Sequence, residues 1–148
     1  MTIYAVRRRV ACYVTRPADA GLELLVFDHA DDDPSQPSGT QVPAGGMLPF
    51  ESLDAAALRE VEEECGLVDV TFRRQLGAVE LGLQEPGGPS LTTYVEMGAP
   101  PGGPQAWRHE VSGDGPDAGM TFSCRWELLP LGCQLAGGQG AYLDRVTG

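Results

Sequence analysis

The chain has 148 residues, 42% of them hydrophobic and 21% charged; its ten basic residues are all arginine and face 21 acids, giving a net charge of −11. That length suits one domain over residues 1–148, and apolar runs such as Leu24 to Phe27 fall far short of the roughly 20 residues that cross a bilayer, so no membrane association is expected. The anionic field repels duplex phosphates and argues against DNA or RNA binding, while a small phosphorylated ligand stays accessible wherever a metal ion neutralises its charge.

Near the start, Arg7-Arg8-Arg9 is followed only by Val10 to Val14 before Arg16, which is no signal-peptide core, so a cytoplasmic chain is expected. Ile3 to Thr15 reads as a strand, Pro17 to Gly21 as a turn and Leu22 to Phe27 as the returning strand of a hairpin. Alternation sends Arg7 and Arg9 to one face, where surface charge and phosphate contact are both open readings. The acidic stretch Asp28 to Gly39 reads as a solvated loop, because its Asp31-Asp32-Asp33 run lacks the alternate-position ligands, central glycine and terminal glutamate of a calcium loop.

Val42 to Gly46 reads as a short extended piece. A helix follows, capped by Ser52 or Asp54 and running to about Cys65, with Leu53, Ala56, Ala57, Val61 and Cys65 at apolar spacing and Gly66 placed for a left-handed C-terminal cap. Val68 to Leu76, Gly77 to Leu83 and Leu91 to Met97 are strand candidates around a turn at Glu85 to Pro89. Gly98 to Gly103 is a loop, Met120 to Leu129 a further strand, and Ala141 to Val146 a short last helix led in by Gly137 to Gly140. The cysteines, at 12, 65, 124 and 133, form no zinc-type spacing and read as buried or inert thiols.

The long helix carries the chemistry. Glu60, Glu63 and Glu64 are related as i, i+3 and i+4, so their carboxylates stack on one face and repel. An exposed like-charge pair of this kind costs roughly 0.2–0.5 kcal/mol, and a partly buried cluster costs more unless it is protonated or met by a cation. Mg²⁺ or Mn²⁺ answers that need with hard-oxygen coordination. Gly45-Gly46 lets the backbone come close to phosphates and to the helix.

Written out, Gly45, five residues, Glu51, seven residues, then Arg59-Glu60-Val61-x-Glu63-Glu64-x-Gly66-Leu67 resembles the Nudix box in every fixed position. The resemblance implies an α/β fold, a Nudix-like α/β/α sandwich with a mixed β-sheet. It implies hydrolysis of the pyrophosphate linkage of a nucleoside diphosphate joined to another moiety, with Mg²⁺ or Mn²⁺ as cofactor and a small-molecule nucleotide as partner. By the same resemblance Glu60 and Glu64 are the leading metal ligands, Glu63 is a ligand or the base that takes water's proton, and the Ala44 carbonyl is a further ligand. Arg59 organises the site by bridging Glu51 and a helix carboxylate, so Glu51, Arg59, Glu60 and Glu63 form the catalytic set, with Gly45 and Gly46 against the substrate. Many relatives pair, which makes a homodimer compatible.

One departure is visible: many members carry Gly before the residue matching Glu51, and this chain has Phe50, preceded by Pro49, so the loop is expected to bend differently. A catalytically weak Nudix-type nucleotide-binding sensor is the alternative function, whereas a plain acidic interaction domain leaves the ordered spacing unexplained. Downstream, His109, Glu110, Asp114 and Asp117 offer either an additional base or ligand or ordinary loop polarity. Trp107, Phe122 and Trp126 read as core or rim aromatics, one of which is free to stack on a base. ADP-ribose, a dinucleoside polyphosphate, a sugar nucleotide and an oxidised triphosphate all remain open as substrates.

Overall fold

In the first strand, residues 10–16 are buried without alternation, a pattern that arises when both faces of a strand are covered. The computed structural model, which describes residues 5–148, shows what covers them. Strand β1 (Arg7–Ala18) lies inside a seven-stranded sheet with β2 (Gly21–His29), β3 (Ala44–Gly46), β4 (Thr71–Leu81), β5 (Ser90–Gly98), β6 (Ala106–Glu110) and β7 (Thr121–Leu128). The strand order is β4-β5-β1-β2-β7-β6, with β3 paired to β1 off that path. The sheet is mixed: β1 and β5 run parallel while the other pairs run antiparallel.

β2 and β3 use the same edge of β1 at opposite ends. β2 pairs with Thr15 to Ala18 before turning away to β7, and β3 pairs with Arg9 to Ala11. On one face of the sheet, Val10, Cys12 and Val14 of β1 pack with Phe122, Cys124 and Trp126 of β7 against Ala56, Ala57, Val61 and Cys65 of an α-helix, α1 (Leu53–Cys65). On the other, Ala11, Tyr13 and Tyr94 are covered by Leu135, Tyr142, Leu143 and Val146. This second layer contains two 3₁₀ turns, Ala136–Gly138 and Leu143–Arg145, in place of the short helix expected over Ala141 to Val146. Six residues are too few to hold an α-helix alone, and contacts to the sheet fix the tighter turn instead.

Those contacts are specific. Tyr142 Oη donates to the Ala78 carbonyl at 2.9 Å, Arg145 Nη1 to the Leu76 carbonyl at 2.8 Å, and the Thr147 N–H to Glu96 Oε1 at 2.8 Å. Gly77, read from sequence as the boundary between two strands, lies within one continuous β4 that carries bulges beside Phe72 and Gln75. A Cβ at Gly77 would stand 2.4 Å from the Tyr142 ring, so this glycine makes room for the tail.

Other boundaries move for local reasons. The hairpin strands extend to Ala18 and from Gly21, leaving a two-residue turn at Asp19 and Ala20, and the expected start at Ile3 lies outside the described residues. β6, in a stretch not expected to form a strand, pairs with β7 from Ala106↔Arg125 to Glu110↔Thr121. Cys12, Cys65 and Cys124 are buried free thiols, and Cys133 is an exposed one. Among the described residues, no helix is long and apolar enough to cross a membrane.

Candidate active site

The turn before α1 closes on itself through Glu51, whose N–H donates to the Leu48 carbonyl at 3.1 Å and whose Oε1 accepts the Leu48 N–H at 3.0 Å. Phe50 takes a left-handed φ of 63°, the region that glycine adopts most readily, so a phenylalanine holds here a backbone conformation suited to glycine. Ser52, rather than Asp54, caps the helix by accepting the Ala55 N–H at 3.3 Å, and Gly66 ends it at φ 75°.

Arg59 binds Glu51 with two parallel hydrogen bonds, Nε to Oε2 at 2.8 Å and Nη2 to Oε1 at 2.9 Å. Its Nη1 donates to Glu60 Oε1 at 3.0 Å and Glu63 Oε2 at 3.3 Å, and Nη2 reaches the Gly46 carbonyl at 2.9 Å. One guanidinium thus holds three acids and the β3–α1 loop in fixed relation, the bridging role expected for it. The pairing holds the Glu51 carboxyl below its usual range through the Arg59 hydrogen bonds, despite partial burial.

The two inward acids are a turn apart. Glu60 and Glu64 are 7% and 4% exposed. Gly45 leaves the notch that Glu60 fills: a Cβ there would stand 2.3 Å from Glu60 Oε1. Glu64 Oε1 accepts the Ala44 N–H at 2.7 Å. Burial pushes the Glu64 carboxyl up to about 9, partly offset by the Ala44 N–H and reinforced by the charges of Glu60 and Asp117; Arg9, half-buried on β1, pulls the other way. Burial likewise raises Glu60, with Arg59 opposing and Glu63 reinforcing the rise. Gly46 differs from its neighbour: a Cβ on it would meet nothing within 4 Å, and its carbonyl accepts from Arg59.

The β6–β7 connection reaches the same helix. Gly113, at φ 87°, lies so close to Glu63 that a Cβ would stand 2.6 Å from its carboxylate, and the half-buried Asp117 is near enough to Glu64 to raise it. His109 and Trp107 act on the backbone instead: Trp107 Nε1 donates to the Cys65 carbonyl at 2.9 Å, while His109 Nε2 and the Ser112 N–H meet the Glu63 carbonyl at 3.0 Å. They satisfy carbonyls that the end of a helix leaves open. Sequence reading missed this role; the alternation of Trp107 and His109 was its available signal. Phe122 and Trp126 are core residues, as expected for most of the aromatics.

Among the described residues, no three His, Cys, Asp or Glu side chains converge closely enough to form a ready cage for a cation. The donor chemistry nevertheless suits a hard divalent ion: Glu60 and Glu64 bring carboxylate oxygens to the wall formed by Ala44 and Gly45, and Glu63 stands beside them on Arg59.

A NUDIX domain family model matches residues 5–122, and the chain belongs to the Nudix hydrolase family; by that membership it is a pyrophosphohydrolase. No curated protein sequence matches it. Among solved structures, it is similar to the NUDIX domain of Shewanella oneidensis NrtR complexed with ADP ribose, with TM-score 0.66 and 19% identity over 97% of this chain and 87% of that one. The Nudix hydrolase RenU from M. Smegmatis aligns with TM-score 0.59 and 21% identity over 97% and 85% of the two chains. A C. elegans Ap4A hydrolase aligns with TM-score 0.52 and 19% identity over 66% and 70%. At these identities the likenesses establish the fold.

Proposed function

We propose that the whole chain acts as one domain that hydrolyses the pyrophosphate linkage of a nucleoside diphosphate joined to another moiety, with Mg²⁺ or Mn²⁺ held by Glu60 and Glu64. The observation that carries this reading is the burial of these two carboxyls one helical turn apart against a glycine notch. Two such acids destabilise a helix face unless protons or a cation relieve them. Glu63 and the Ala44 carbonyl complete the donor set. When bound, the ion supplies positive charge to the diphosphate oxygens.

The chain's own residues do the rest. Arg59 keeps Glu51, Glu60 and Glu63 aligned and holds the Gly46 carbonyl, which keeps the loop close to the acids. Glu63, on the helix, and Asp117, on the β6–β7 connection, are the candidates for taking the proton of the attacking water, since both are near the inward acids and neither fills the Gly45 notch. Four free thiols suit the reducing cytoplasm.

The decisive variant is Glu64→Gln, which keeps shape and removes charge. Turnover of a nucleotide panel under saturating Mn²⁺ should fall by about 100-fold or more, the scale of a lost charge at a reacting phosphate. Full turnover in this variant would exclude Glu64 from the site. A weakly active sensor is the second reading, favoured by the hold of Arg59 on Glu60 and Glu63. Tight nucleotide binding without product under saturating Mn²⁺ would select it.

A further inference from the structure

Granted the metal site proposed at Glu60 and Glu64, we infer that Arg9 is a substrate-binding residue of the same site, its guanidinium taking the phosphate of the diphosphate that lies away from the helix acids. Alternation puts Arg7 and Arg9 on one face of β1, and the structure separates them: Arg7 is exposed, whereas Arg9 is half-buried. Both leave the strand on the side of Ala11 and Tyr13, opposite α1.

Arg9 differs from the other enclosed arginines in its lack of a partner. Of the chain's ten, Arg16, Arg59 and Arg125 are the others that are buried or half-buried, and each is paired: Arg16 with Glu23 at 2.8 Å, Arg59 with Glu51 at 2.8 Å and Arg125 with Glu127 at 2.7 Å. Among the described residues, Arg9 forms no ion pair and no side-chain hydrogen bond, although the chain holds 21 acids. A half-buried guanidinium in that position has given up part of its water without gaining an acceptor. An anionic ligand supplies the acceptor, and the planar fork matches two phosphate oxygens.

The strands fix where that guanidinium starts. The Cys12 N–H donates to the Pro43 carbonyl and the Met47 N–H to the Arg8 carbonyl, both at 2.8 Å, so by alternation Arg9 and Gly46 form a pair without hydrogen bonds, where Cα atoms come within about 4.5 Å. Gly46 has no side chain to crowd it, and a Cβ there would meet nothing within 4 Å, which leaves open floor beside Arg9. Two residues back along β3, about 7 Å, the Ala44 N–H holds Glu64. Burial raises both Glu64 and Tyr94, and in both the Arg9 charge opposes the rise, so the guanidinium lies within electrostatic reach of the acids as well as of its own sheet face. A diphosphate lying across β3 therefore meets positive charge at both ends, an ion at the acids and Arg9 beyond them.

Calorimetric titration of the full chain as parent, Arg9→Gln and Arg9→Lys provides the test. Mn²⁺ is added first, and then α,β-methylene adenosine diphosphate, a nucleoside diphosphate with an uncleavable bridge, to the Mn²⁺-saturated protein. The expected result for Arg9→Gln is Mn²⁺ binding at least as tight as in the parent, since the lost charge repelled the ion, with nucleotide binding weaker by about 10- to 100-fold, the scale of a lost charge-assisted pair of hydrogen bonds. Arg9→Lys, which keeps the charge and loses the fork, should fall between the two. Equal nucleotide affinity in all three proteins overturns the inference and leaves the metal site of the acids standing. So does a parent that takes Mn²⁺ but no nucleotide, and so does weaker Mn²⁺ binding with unchanged nucleotide affinity in Arg9→Gln, the mark of a residue that only shapes the acids. A parent without a saturable Mn²⁺ site removes the reading beneath the inference, and the inference with it.

Discussion

Glu64 is the residue on which burial and charge conflict most. Its carboxyl rises from an ordinary value near 4.5 to about 9 when buried. The folded state therefore binds more protons than the unfolded chain between those values, and stability must fall as pH rises through that window, at up to about 1.4 kcal/mol per pH unit. Without added metal, the melting temperature should drop between pH 5 and pH 9, roughly the two ends of that window, and saturating Mn²⁺ should flatten the profile because it binds the ionised form. A profile unaffected by Mn²⁺ would separate the acid from the ion. Gly45 gives a second residue-scale test. In Gly45→Ala the new Cβ displaces the mobile end of Glu60 rather than the backbone. Mn²⁺ affinity should then fall by roughly tenfold while thermal stability changes by less than about 1 kcal/mol, as titration and melting would record.

At the scale of elements, α1 and the C-terminal tail differ in how they declare themselves. The helix was legible in the chain: Ser52, the apolar spacing from Leu53 to Cys65, the acids and Gly66 all sit within one local period, and Arg59 reaches its partners from the same helix or the loop before it. β6 and the tail were not, because their form depends on distant partners. Trp107 and His109 find their purpose only against helix carbonyls some 40 residues back, with separations of 42 and 46. The tail is anchored by Glu96, 2% exposed, which accepts from Thr147 at 2.8 Å and from Arg74 at 3.3 Å. Burial raises this carboxyl, yet the Thr147 N–H and Arg74 outweigh it and hold the group below its usual range, so the anchor is present at neutral pH and is lost as pH falls through the carboxylate range. Glu96→Gln should cost about 1–3 kcal/mol by thermal melting at pH 7 and leave Mn²⁺ affinity unchanged. A variant as stable as the parent would show that the tail is held by apolar contact alone.

For the molecule as a whole, β3 pairs with β1 apart from β2 and brings Ala44 and Gly45 against the helix acids. A net charge of −11 adds a field that favours cations and disfavours free phosphates. That balance makes the occupancy of the acids by a divalent ion the claim on which the proposed chemistry rests. Calorimetric titration of Mn²⁺ into the parent and Glu64→Gln, in buffers of differing ionisation enthalpy near pH 7.5, tests it most directly. The expected result is a saturable site in the parent that releases about one proton per ion, with binding weakened by roughly 100-fold and the proton release lost in the variant. Heats that never saturate, or that are the same in both proteins, would contradict it.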